Sequence, residues 1–467
     1  MKKLIKNGTV ISSTGADPAE VLIDGETIVA VLQPGSDVAV SAESGADQVI
    51  DASGLYVIPG GVDGHTHMEL PFGGTFAKDT FETGTRAAAF GGTTTILDFA
   101  GQERGASLRA GLDEWLAKAE GHCAIDYGAH IMVSDVNDAS LAEMDDFVAE
   151  GVTTFKLFTA YPDRYLSDDG ALLRAFRRTA DNGGLVLMHA ENGLAIDVVT
   201  NALAEAGNTE PYYHGLSRPA LLEGECVNRV IRLAEVAEVP VYVVHLSSRD
   251  ALLEVVRGRD RGALAFAETC PQYLYLDVSL LDQGWEGAKY VCSPPLRPAD
   301  HQEDLWLGLV RDDLQTVGTD HCPFDFVGQK DHGRDVFRRI PNGLPGVEER
   351  VDLIFQGVIE GRITRERWVE VVSTAPARIF GLAGRKGAIA PGYDADIVVY
   401  DPQRKHVLSA ATHHMNVDYS CYEGMEVQGH SDIVMSRGRV IVEDGAWLGD
   451  PGHGRFLVRE SSRDQLK

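Results

Sequence analysis

Six cysteines are spread through 467 residues, at Cys123, Cys226, Cys270, Cys292, Cys322 and Cys421, and no two form a C-x-x-C pair. Thiols this scattered exclude a disulfide framework and a cysteine-built structural zinc site. Long apolar runs are absent too. Nothing approaches the roughly 18 consecutive apolar residues of a membrane helix. The opening MKKLIKNGTVISS is basic but lacks the unbroken apolar stretch of a secretory signal. Positive charge is scarce: 42 basic residues face 70 acidic ones, a net charge of −28. That balance excludes nucleic acid and an anionic membrane surface as partners. The chain reads as a cytoplasmic protein without low-complexity segments. Its 44% apolar content can fill a sizeable core.

The apolar residues are organised in two textures. Residues 1–56 hold short strand-like runs, LIKNGTVISS, EVLIDGETIVAVL and QVIDASGLYV, with Asn-Gly and Asp-Gly as hairpin signals. The same texture returns at GAIAPGYDADIVVYD and DIVMSRGRVIVEDGAWL. Between them, GGVDGHTH, TTTILDFA, YGAHIMVS, TTFKLFTA, LVLMHAEN, VYVVHLSS, ALAFAETC and QTVGTDHC alternate with helix-like stretches such as SLRAGLDEWLAKAEG. Eight such runs predict an α/β fold, a (β/α)8 TIM-like barrel. Both chain ends are expected to build a small β-sandwich domain. The boundaries follow as 1–56 and 385–450 for the sandwich, 57–384 for the barrel, and 451–467 for a peripheral tail.

Barrel chemistry sits at the C-terminal ends of the strands. Here those ends carry His65 and His67 on the first run, Lys156 on the fourth, His189 on the fifth, His245 on the sixth and Asp320 on the eighth. Alternation along a strand points His65 and His67 to one side. Each residue alone reads blandly: a satisfied core histidine, a snorkelling lysine, a helix-capping aspartate. Six at matching ends of one barrel read as a metal site. Four imidazoles and a carboxylate suit zinc or a similar cation. Five ligands exceed one tetrahedral site and fall short of two closed ones, so a bridging ligand is expected. Lys156, desolvated beside cations, loses its proton readily. The free amine can add carbon dioxide, and the carbamate can bridge two metals.

The chain resembles the metal-dependent amidohydrolase superfamily, within it the dihydropyrimidinase and D-hydantoinase branch. The resemblance runs through GGVDGHTHMELPFGGTFAKDTFETG, AAAFGGTTTILDFA, FKLFTAY, HAENG, VYVVHLSS, ETCPQYLYLD, CSPPLRP, QTVGTDHCPF, PNGLPGVEER and KGAIAPGYDADIVVYDP. It implies that His65, His67 and Asp320 hold one divalent metal ion, His189 and His245 a second, and carboxylated Lys156 bridges them. It further implies zinc as the metal, and hydrolysis of the ring amide of 5,6-dihydropyrimidines or 5-substituted hydantoins to N-carbamoyl amino acids by a metal-bridging hydroxide. Asp320 is then the proton shuttle and Tyr161 the oxyanion donor. Tyr161, Ser293 and Asn342 contact the cyclic amide. A homotetramer is implied as well.

Sister activities diverge in the segment after H-x-H. Dihydroorotases place an arginine where Glu69 stands, and allantoinases continue with an Asn-Glu-Pro-Gly-like loop. Here Met68, Leu70, Phe72 and Phe76 make that loop apolar, and Gly73 and Gly74 allow it to bend over a substrate. An allantoinase- or dihydroorotase-like amidase and a non-catalytic scaffold of the same fold are the alternatives. The scaffold relatives have lost metal ligands, whereas all six positions are kept here.

Overall fold

The computed structural model describes residues 1–461, 463 and 466. Eight strands, Gly61–Thr66, Thr93–Gly101, Asp126–Met132, Thr154–Phe158, Leu185–His189, Val241–Val243, Ala265–Thr269 and Thr316–Val317, pair in parallel in chain order. All eight predicted runs supply one strand each. A bridge between Thr66 and His321 brings the eighth strand's end back to the first. Every residue of Gly61–Thr66, Thr154–Phe158 and Leu185–His189 is buried. Parallel strands covered on both faces require this. The helices between them begin at side-chain caps, among them Ser107, Asn137, Asp168 and Ser248, which accept from backbone N–H groups of the first turn.

Both chain ends contribute to one nine-stranded, mostly antiparallel sheet. Ile5, Val21, Ile23 and Ile28 from its N-terminal strands share a core with Ile397, Val399 and Met435 from its C-terminal ones. Asp24-Gly25 turns a hairpin as its sequence suggests, with Gly25 at φ 61°. Asn7-Gly8 does not. It lies inside the strand Lys2–Ile11, where the register with Ala16–Asp24 shifts between Ile5 and Gly8. The left-handed Asn7, φ 64°, makes a bulge of what reads as a turn.

Buried charges join barrel to sheet. Lys386 Nζ donates to Asp126 Oδ2 at 2.6 Å and to Asp396 Oδ2 at 2.5 Å, and Arg437 donates to the same Asp126. Arg350, fully buried, donates to the carbonyls of Val317 and Val372 and to Thr93 Oγ1. It thereby ties the eighth strand to the second.

The end of the chain departs from its expected peripheral place. Gly454 N, Leu457 N and Arg459 N donate to the carbonyls of Cys123, Tyr127 and Gly151. Leu457 is fully buried, among Leu97, Tyr242 and Phe380. Arg459 donates to the Ala129 carbonyl and to Thr154 Oγ1. Charge content hid this: Leu457 and Arg459 turn inward, while Val458 between them is 62% exposed. Leu457→Ala should therefore cost about 2–5 kcal/mol, the usual range for a core Leu→Ala. Val458→Ala should stay within about 0.5 kcal/mol. Urea unfolding midpoints of the two variants check the contrast.

Candidate metal centre and active-site cavity

The six ligand-type residues converge at the C-terminal mouth of the barrel. His65 Nε2 and His67 Nε2 each lie 3.2 Å from Asp320 Oδ1. The ligand atoms of these three residues all fall within 4.8 Å of one another. Across the mouth, His189 Nδ1 faces His245 Nε2 at 2.9 Å. Lys156, 1% exposed, reaches between the groups: its Nζ is 3.4 Å from His65 Nε2 and 4.6 Å from the centre of the Phe99 ring. Two of the six, His245 (φ 39°) and Asp320 (φ 53°), and Tyr161 beside them (φ 60°), have left-handed backbone. Non-glycine residues adopt that conformation at a cost, and it concentrates at functional sites.

The electrostatics favour ligands over charges. Burial first, then Lys156, holds the His65 imidazole well below its ordinary pKa. His245 is pushed down by the same two causes in the same order. Burial lowers Lys156, so its neutral amine is within reach. Burial would raise Asp320, but His65, His67 and Lys156 outweigh it and keep the group a carboxylate. Neutral imidazoles, an anionic oxygen and an available amine are the states in which such groups bind cations. His65 Nδ1 is already engaged by Glu268, which leaves its Nε2 lone pair facing Asp320 and Lys156. The donor set thus fits a divalent cation.

Several supporting groups escaped the sequence reading. Glu268, on the seventh strand, lies 2.5 Å from His65 Nδ1 through Oε1, which also accepts from His245 N at 3.0 Å. Its Oε2 accepts from Tyr242 Oη at 3.0 Å. Glu191 Oε2 lies 3.0 Å from His189 Nε2 and accepts from Arg218 at 2.8 Å. Burial opposes the Glu191 charge, yet Arg218 and His189 hold its pKa at about 2. Glu268 had a legible signal, a carboxylate inside the apolar run ALAFAETC. Lys330 had none. Fully buried, its ammonium donates to the carbonyls of Val291, Pro341 and Gly343 at 2.9–3.0 Å. It pins together the two segments that carry Ser293 and Asn342, whose side chains are themselves joined at 2.9 Å.

In front of the ligands lies a small inner cavity of about 60 Å³, walled by Leu70, Phe72, Phe158, Tyr161, Ser293 and Asn342. A vestibule of about 930 Å³ lies outside it and shares Phe72, Tyr161 and Asn342. Phe72 stands at the neck, its ring edge-on to Tyr161 with centroids 5.7 Å apart. The loop after H-x-H divides by role. Met68 packs into the core against Gly84, and Phe76 is 56% exposed. Leu70 and Phe72 face the cavity. Gly73 (φ 60°) and Gly74 (φ 79°) form the two-residue tip of a hairpin, Pro71–Phe72 against Thr75–Phe76. The Glu69 carboxylate turns away, 3.4 Å from Phe81 N. Burial pushes the Tyr161 phenol up to about 12, so it stays a hydrogen-bond donor.

A (β/α)8 barrel with histidines, a lysine and an aspartate at its mouth defines a metal-dependent hydrolase. The chain belongs to the Amidohydrolase family, which residues 56–441 match. It is 58% identical to the D-hydantoinase of Streptomyces coelicolor over 98% of both chains. It is 49% identical to the D-hydantoinase of Geobacillus stearothermophilus over 98% of this chain and 97% of that one. The crystal structure of dihydropyrimidinase from Brevibacillus agri superposes with a TM-score of 0.95 at 46% identity, covering 99% of both chains. No described helix is long and apolar enough to cross a membrane.

Glu268→Gln keeps the shape but removes the carboxyl group behind His65. Partners behind metal-binding histidines typically contribute 10–100-fold in metal affinity or activity, so a loss of about that size is expected. Competition with a chelator measures it. Unchanged affinity would mean that packing alone orients His65.

Proposed function

We propose that this chain hydrolyses the ring amide of 5-substituted hydantoins and 5,6-dihydropyrimidines, releasing N-carbamoyl amino acids of the D series from hydantoins. The observation that carries the reading is that five of the six ligand-type residues line a small inner cavity, with apolar walls, on which Tyr161, Ser293 and Asn342 converge. The names of the D-hydantoinase relatives support it. The arginine of dihydroorotases has no counterpart here, since Glu69 turns away from the cavity.

Two divalent cations, zinc on this donor set, would polarise the ring carbonyl and make water acidic enough to attack near neutral pH. His65, His67 and Asp320 would hold one, His189 and His245 the other, and Lys156, carboxylated, both. In that carboxylation a bond forms between Nζ and the carbon of carbon dioxide, and one amine proton leaves. Ser293 and Asn342 present backbone groups to the cyclic amide. Tyr161 Oη–H donates to the oxygen that gains charge as the ring carbonyl becomes tetrahedral. Asp320 takes the proton of the attacking water and returns it to the ring nitrogen as the C–N bond breaks. Leu70, Phe72 and Phe158 keep bulk water from the small cavity. Assembly as a homotetramer is part of the same proposal. Large apolar side chains exposed on successive helices, Leu194, Val198, Leu216 and Leu221, offer surface for it.

Initial rates on hydantoin, D-5-phenylhydantoin, dihydrouracil, dihydroorotate and allantoin test the reading. Turnover of the first three with little on the last two is expected, and the reverse order overturns it. Phe72→Ala should shift the kcat/KM ratio of phenylhydantoin to hydantoin several-fold, since an aromatic contact at the neck contributes on the order of 1–3 kcal/mol. An unchanged ratio would assign Phe72 to packing.

Lys156→Ala should bring metal content well below two ions per chain and abolish turnover. Lys156→Arg should fail equally, because a guanidinium stays protonated and forms no carbamate. Elemental analysis alongside turnover decides, and full occupancy with near-normal rates would refute the bridging role.

A further inference from the structure

Another cluster of ligand-type side chains lies where the barrel's outer helix layer meets the antiparallel sheet. Asp352 is on the helix Arg350–Ile359, His406 on the strand Ile397–Val407 and His430 on the strand Glu426–Ser436. None of them lines the catalytic cavity. Their ligand atoms all lie within 4.8 Å of one another. Asp352 Oδ2 is 3.5 Å from His406 Nε2 and 3.8 Å from His430 Nδ1. Both distances exceed a hydrogen bond. Asp352 is only 5% exposed, and its Oδ1 has no hydrogen-bond partner among the described residues. The Nδ1 atoms of both histidines are likewise buried and unpartnered.

Nearby protein groups relieve this only in part: the buried Tyr400 hydroxyl faces Asp352 but forms no hydrogen bond of full geometry. The Gln356 amide donates to the carbonyls of Asp352 and Gln428, and its Oε1 accepts from Gln428 N. Those bonds already lash the helix to the strand two residues from His430. The His430 imidazole is aimed at the same helix, its Nδ1 3.8 Å from Asp352. A buried carboxylate oxygen left without a well-formed hydrogen bond is costly. One proton placed on either imidazole would serve a single Asp–His contact, whereas a cation among the three serves all three donors at once.

We propose that Asp352, His406 and His430 form an additional transition-metal site that staples the barrel to the antiparallel sheet. Two imidazoles and one carboxylate suit zinc and its first-row neighbours, whereas magnesium and calcium take oxygen ligands. Water can complete the coordination. The two histidine side chains are 27% and 24% exposed, and a cavity of about 350 Å³ opens beside His406, lined by Gln356, Glu426 and Gln428.

The test uses the full chain. Wild type, His406→Ala and His430→Ala are equilibrated with zinc, desalted and assayed for zinc per chain, melting temperature and turnover on the same samples. Each variant should hold one zinc fewer than wild type at unchanged turnover, and zinc should raise the wild-type melting temperature more than theirs. Equal zinc content in all three, or an extra equivalent lost on desalting, overturns the site. Anomalous diffraction at the zinc edge from wild-type crystals gives an answer that does not depend on the variants folding. A peak enclosed by the three side chains is expected, and its absence while the catalytic centre shows its own signal also overturns the proposal.

Discussion

A single carboxylate, Glu268, sets the geometry on which the catalytic mouth depends. Its two oxygens reach the His65 ring on the first strand, the backbone of His245 after the sixth, and the Tyr242 hydroxyl on the sixth. The seventh strand thereby positions ligands it does not itself carry. Burial raises this carboxyl to about 7 against the opposing pull of the His245 N–H, Lys156 and Tyr242. Glu191 does the same for His189, with Arg218 behind it. Both candidate pairs of imidazoles thus lean on an acid that never faces the cavity.

Much of this was readable before any coordinates. Strand ends announce themselves when a charged residue interrupts an apolar run, and His65, Lys156, His189, His245 and Asp320 all do so. Eight such runs separated by helical stretches leave a barrel as the economical arrangement. Other features carry no such mark. Lys330 lies in GQKDHGR, a polar stretch that reads as solvated loop, yet its ammonium is fully buried on three carbonyls. Backbone acceptors leave no trace in residue types. Asn7-Gly8 misleads for a related reason: left-handed residues serve bulges and turns alike, and only the partner strand decides between them. The apolar loop after H-x-H could be read as apolar, but not which of its side chains point where. Met68 and Phe72 differ in role only through what packs beside them.

The chain carries a large negative charge, yet the vestibule is not uniformly acidic. Arg164, Arg218, Arg338 and Arg339 line it together with Asp163 and Asp197. Local basic groups in an acidic protein focus field lines toward an opening. A neutral ring would enter past the neck at Phe72, and an anionic product would leave toward these arginines. The apolar inner cavity and the charged vestibule therefore divide the work of holding a substrate and shedding its product.

The segment Gly454–Glu460 runs along the base of the barrel, with Leu457 and Arg459 turned into it. Polypeptides are made from the N-terminus onward, and domains generally fold as units during synthesis. A nascent chain of this sequence can pair all eight barrel strands long before those residues exist. The base beside Tyr127, Tyr242 and Phe380 gains its cover only when residues 454–460 are added. A chain broken off at residue 453 would keep every ligand-type residue and every barrel strand, but not the segment that seals the barrel's base.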